Sequence, residues 1–162
     1  MLTTVKNAIR RTRQHHAIEH ATLHVLAARF PHRRMAGYSD PGGFTIFGDL
    51  PLDSVRRGVS DALLQLQSGQ AGLAIHPNCG TNLAVTALLA TTAALVGGGR
   101  SRDPLARFAG ALALVMPVLV VAQPLGLRLQ QYTTLATVND CWMQDIRTIG
   151  GGFVKAVRIE FA

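Results

Sequence analysis

Two histidines four residues apart, with a glutamate between them, are the residues of this chain best suited to chemistry: His16-Ala-Ile-Glu19-His20. On a helix, His16 and His20 lie one turn apart and project from one face, close enough to share a divalent metal ion. Glu19, three residues after His16, lies near that face, where a carboxylate can serve as general base toward an activated water. The order His-x-x-Glu-His is that of the inverzincins, the reverse of the zincin His-Glu-x-x-His. The stretch His15–His24 holds four of the six histidines of the chain. His24 extends the stripe by one turn, and His15 sits four residues before Glu19. The competing reading of these residues is a polar, pH-sensitive helix face with no ion.

A second box raises the case for metal. His76-Pro77-Asn78-Cys79 sets an imidazole and a thiol around a Pro turn, an x₂ spacing that closes small metal sites. Zinc takes three protein ligands and a water in catalytic sites, or four protein ligands in structural ones. The two boxes offer His16, His20, His76 and Cys79 as ligands, with Zn2+ or another divalent metal as the cofactor and Glu19 as the catalytic residue. The alternative for the second box is a helix start, with Thr81 or Asn82 as N-cap and Cys79 buried as a small apolar group. In that case His76 alone can still be a ligand.

Those boxes need elements to position them. The 162 residues allow one domain of ordinary size. The composition is apolar for a soluble domain, with 48% hydrophobic and 15% charged residues and a formal charge of +7. Such a basic excess suits nucleic acid, anionic lipid or a cytoplasmic membrane face. The aromatic content of 6% gives little for base stacking, and no helix-turn-helix pattern is visible, which argues against nucleic acid. Cys79 and Cys141 are too few for a disulfide framework and read as thiols. The start of the chain lacks the apolar core and small-residue site of a cleavable signal peptide.

From Leu2 to about Phe30 there is no Gly or Pro, and Val5, Ile9, Leu23, Leu26 and Phe30 roughly follow helical spacing. One long helix is expected, with Lys6, Arg10, Arg11 and Arg13 in its first third, either resting on anionic lipid or forming a solvated face. Asp40-Pro-Gly-Gly43 lies between two short runs and predicts a β-hairpin over Met35–Gly48. Val55, Val59, Leu63 and Leu66 predict an amphipathic helix over Asp53–Gln67, capped by Asp53 or Ser54. Leu73–Ile75 reads as a short strand and Asn139–Ile146 as a short helix. The alternating run Phe153–Phe161 reads as a strand that pairs with the hairpin.

Two uncharged apolar stretches, Leu83–Val96 and Phe108–Leu127, flank a tight basic link, Gly97–Pro104. A membrane-spanning helix needs about 20 apolar residues, and so short a chain has difficulty wrapping two helices that are apolar all round. A transmembrane hairpin is therefore expected, against the alternative of two buried core helices. The basic N-terminus favours cytoplasmic flanks, while Arg100, Arg102 and Arg107 in the link pull the other way.

The chain resembles a group of small bacterial membrane proteins of cyanobacterial and Chloroflexi type. The resemblance runs through His16-Ala-Ile-Glu-His-Ala-Thr22, Pro41-Gly-Gly-Phe-Thr-Ile-Phe-Gly48 and Leu73-Ala-Ile-His-Pro-Asn-Cys-Gly-Thr-Asn82. More distantly, it is similar to a bacterial integral-membrane family that pairs an HGAEH box with an HPRCGTSF box. Here these correspond to His16–His20 and His76–Leu83. The resemblance implies a membrane protein with paired His-Glu-His and His-Pro-x-Cys boxes, and supplies no reaction.

Taken together, these features predict an α+β membrane protein with a long N-terminal helix, a small hairpin-based sheet, one amphipathic helix and a two-helix transmembrane hairpin. The expected divisions are 1–80 with the metal boxes, 81–127 as the membrane hairpin, and 128–162 as a tail whose strand completes the sheet. The expected setting is the bacterial inner membrane, multi-pass, with the lipid bilayer as partner, a peptide or protein as substrate, and a homo-oligomer allowed. The functional expectation is a zinc metallohydrolase or peptidase. Its alternative is a membrane scaffold or accessory protein whose metal is structural.

Overall fold

The computed structural model describes residues 2–99, 102–151 and 155–162. The chain divides into two compact units, one of Met1–His76 with Tyr132–Ala162, the other of Pro77–Gln131. The first unit is α+β. Its helix α1 (Leu2–Arg29) is followed by strands β1 (Ala36–Asp40) and β2 (Gly43–Phe47), helix α2 (Leu52–Gln67) and a 3-10 turn over Ala71–Ala74. Strands β3 (Met143–Ile149) and β4 (Ala156–Phe161) complete it. The four strands form one antiparallel sheet in the order β1-β2-β4-β3.

The expected hairpin forms, and its turn has a local cause. Asp40 Oδ1 accepts the Gly42 amide at 2.8 Å, an Asx-type turn. Gly43 has a φ of +153°, and a Cβ there would overlap the Ile159 carbonyl oxygen, so only glycine lets β4 approach this closely. Across the sheet, Phe44 pairs with Ile159 and Ile46 with Val157. Their side chains enter one core with Ile18 and Leu26 of α1 and Val55 and Val59 of α2. Helix α1 packs against α2, β1 and β2, which fixes which face of α1 meets the sheet.

Three local expectations are corrected. Helix α2 starts at Leu52, and its N-cap is Pro51, not Asp53 or Ser54. The Pro51 carbonyl accepts the Ser54 and Val55 amides at 3.0 and 3.1 Å, so Asp53 falls in the first turn, where its charge suits the helix dipole. Leu73–Ile75 is no strand: most of it lies in the 3-10 turn, and the Ala74 and Ile75 carbonyls bond histidine rings of α1 instead of a neighbouring strand. The expected helix over Asn139–Ile146 is replaced by β3, whose Ile146 is buried opposite Ile159. A register shift between Met143 and Asp145 disrupts the period of two there, leaving apolar residues at a spacing that mimics a helix. In β4 the alternation persists, with Val157, Ile159 and Phe161 buried. Phe153 and Val154 of the expected strand lie outside the described residues, as does Arg100 of the basic link.

The second unit contains helix α3 (Gly80–Gly98) and most of helix α4 (Pro104–Thr133), of 19 and 30 residues. Both are long and apolar enough to cross a membrane, by length and composition. Leu88, Leu95, Phe108 and Val120 are exposed on them. Pro117 and Pro124 lie inside α4 without ending it. Gly97 and Gly110 meet backbone to backbone: a Cβ on either would overlap the other's carbonyl oxygen. Such small-residue crossings are how apolar helices approach closely.

Candidate metal centre

Helix α1 presents polar side chains on two fronts. Toward β1, Glu19 is buried at 5% exposure and its Oε2 accepts the Ser39 hydroxyl at 2.5 Å. Its carboxyl lies against Gly37, where a Cβ would overlap it. His15, fully buried, donates from Nδ1 to the Asp40 carbonyl at 2.8 Å and stacks on Phe161 with ring centres 5.1 Å apart. Burial holds the His15 pKa below its ordinary value. His15 thus belongs with the sheet.

The other front carries a row of imidazoles. The ring centres of His16 and His20 are 4.3 Å apart, and a ring nitrogen of each lies within 4.8 Å of the other's. His76 follows at 5.7 Å from His20, and His24 at 4.7 Å from His76. The rings of His16, His20 and His24 are oriented by backbone carbonyls. His16 Nδ1 lies 3.1 Å from the Thr133 oxygen, His20 Nδ1 2.7 Å from that of Ala74, and His24 Nε2 2.9 Å from that of Ile75. A carbonyl can only accept, so each bonded nitrogen carries the hydrogen. In the neutral ring the lone pair then sits on Nε2 of His16 and His20 and on Nδ1 of His24. Pinning one ring nitrogen so that the other can coordinate is the arrangement found around metal-ligating histidines. His20 is 1% exposed, and its Nε2 is buried with no hydrogen-bond partner in the described structure. His76 has its pKa pushed down to about 4, first by burial and then by His24 and His20 beside it, so at pH 7 it is neutral.

Cys79 belongs to the second unit. It is the N-cap of α3, its Sγ accepting the Thr81 amide at 3.4 Å. The cap is therefore Cys79 itself, not Thr81 or Asn82; Asn82 donates to the Pro77 carbonyl at 2.8 Å instead. The other cysteine, Cys141, is buried, and burial pushes its thiol up to about 11, which makes it a poor nucleophile.

The structure brings His16, His20 and His76 into one row and sets Glu19 on the sheet side of the same helix. The residues missed from sequence are the supports, the carbonyls of Ala74, Ile75 and Thr133 and the Ser39 hydroxyl. Backbone oxygens leave no trace in residue type. His24 had a signal, its place four residues after His20.

Residues 11–146 match DUF6391, a domain of unknown function. The chain belongs to that family. An uncharacterized protein of Picosynechococcus sp. is 37% identical over 147 residues, covering 83% of this chain and 71% of its own. No solved structure matches. The span matched to the family takes in the whole imidazole row, Glu19, Cys79 and both apolar helices, and ends within β3.

Proposed function

We propose that this is a membrane-associated protein built on a divalent-metal centre, with zinc as the ion and Glu19 as the general base of a metallohydrolase acting on peptides. The metal rests on His20, whose Nδ1 is pinned to Ala74 and whose Nε2 is buried and unpaired. An unsatisfied buried polar atom costs about 1–3 kcal/mol, a cost that a coordinated cation removes. His16 is oriented in the same way one turn earlier. Cys79 is three residues from His76, a tether of at most about 11 Å, so the second box supplies a thiolate, an imidazole or both. Imidazole and thiolate together suit zinc. When bound, the ion supplies Lewis-acid activation of water.

For Glu19 to take the proton of a metal-activated water, its carboxylate would turn from its seat on Ser39, on the sheet side of α1, toward the imidazole row. The same contact favours a second reading, in which the metal is structural and Glu19 ties α1 to β1 in a membrane scaffold or accessory protein. Metal analysis of detergent-purified protein tests the centre: wild type should retain zinc, and His16→Ala, His20→Ala and Cys79→Ala should each lower its content. Glu19→Gln should keep the metal and lose peptide hydrolysis. Hydrolysis by a metal-loaded Glu19→Gln protein at the wild-type rate would remove the catalytic role and leave the structural one.

Membrane association is supported by α3 and α4 and by the start of α1, where Leu2, Val5 and Ile9 are exposed beside Lys6, Arg10 and Arg13. The bacterial inner membrane, in multi-pass form with cytoplasmic polar regions, is the setting this reading implies.

A further inference from the structure

We infer that His24 and His76 hold a second divalent ion, one turn along α1 from the first, in an exchangeable site. The inference extends the proposed centre, and depends on it only for leaving Cys79 to the first ion. His16 and His24 are eight residues apart on one helix, about 12 Å along its axis. Metal–imidazole bonds are about 2.0–2.1 Å, so two rings on one tetrahedral ion have centres on the order of 5 Å apart. The row His16, His20, His76, His24, with steps of 4.3, 5.7 and 4.7 Å, is longer than one coordination sphere.

The supports divide it the same way. The successive carbonyls of Ala74 and Ile75 bond His20 through Nδ1 and His24 through Nε2. Their coordinating nitrogens are thereby different ring atoms, Nε2 of His20 and Nδ1 of His24. Each ring has one such lone pair and can serve one ion. His76, the residue after that carbonyl pair, has its ring nearer to His24 than to His20. His24 and His76 are both half-buried, whereas His20 is buried. Two imidazoles with solvent-facing positions suit a borderline divalent ion that binds and leaves readily.

Zinc alone is the probe. The full chain, purified in detergent and stripped with chelator, is titrated with Zn2+ against a chromophoric competitor. Wild type should take up two equivalents, the second at least tenfold weaker. His24→Gln and His76→Gln should each abolish the weak equivalent and leave the tight one, whereas His16→Ala should do the reverse. Circular dichroism establishes that each variant is folded, and His76→Gln reads the same site should His24→Gln not fold. A second equivalent that survives both substitutions, or a wild type whose single equivalent survives His24→Gln and His76→Gln, overturns the inference. A protein that binds only a weak equivalent, lost in His24→Gln, would remove the proposed first centre and leave this one standing.

Discussion

Ser39 and Gly37 decide what Glu19 can do, because they fix where its carboxylate lies. Ser39→Ala removes a hydrogen bond to a buried carboxylate and should cost about 1–3 kcal/mol, read as a lower denaturation midpoint in detergent. Gly37→Ala should displace the carboxylate at a cost of about 1–3 kcal/mol, as overpacking does. If either variant melts like wild type, Glu19 is not seated as described. The histidines predict a pH dependence. His15 and His76 both titrate below the ordinary value of 6.5 in the fold. Below about pH 6.5 the unfolded chain takes up protons that the folded chain resists, so stability falls with pH from there toward 4 and is fully present above. Thermal melts in chelator, which separate this from metal loss, should show that fall; a flat profile would contradict it. Much of this scale was legible in advance, since histidine spacing on a Gly- and Pro-free run is a pattern of residue types. The division of labour around α1 was not. Which side of the helix meets β1 depends on the packing of Ile18 and Leu26 against distant strands.

At the scale of elements, the hairpin is clamped to β4 by Arg158, whose guanidinium donates to both oxygens of Asp40 at 2.6 and 2.9 Å. That pairing holds the Asp40 carboxyl below its usual range. Its contribution is present above the ordinary carboxylate pKa and lost as pH falls through the lower folded value. Asp40→Asn should cost about 1.5–3 kcal/mol near neutrality, the range for hydrogen bonds to charged groups, and much less in strong acid. A cost independent of pH would contradict the clamp. In the second unit, Gly110→Leu should force α3 and α4 apart and raise protease sensitivity between them, while Leu112→Ala, at an exposed position, should not. The hairpin and β4 could be read ahead because turn chemistry and alternation are local. Strand β3 could not, because its register shift makes sense only against β4. The 3-10 turn was hidden for a related reason, since its carbonyls answer to α1.

For the molecule as a whole, the apolar helices and the basic start of α1 make one prediction together. The protein should stay in the membrane fraction through alkaline carbonate extraction, and Lys6→Glu with Arg11→Glu should leave that unchanged while weakening protection of α1 from protease on anionic vesicles. Release by carbonate would contradict the spanning reading. The order of the sheet carries a consequence of another kind. Strand β4 lies between β2 and β3 yet follows both in the chain. During synthesis, both apolar helices leave the ribosome before β2 can gain its second neighbour. Until then β2, with Phe44 and Ile46, has an open edge of the sort that recruits foreign strands. Biogenesis thus has a vulnerable interval whose length is set by the translation of roughly a hundred residues between β2 and β4, at about 5–20 residues per second.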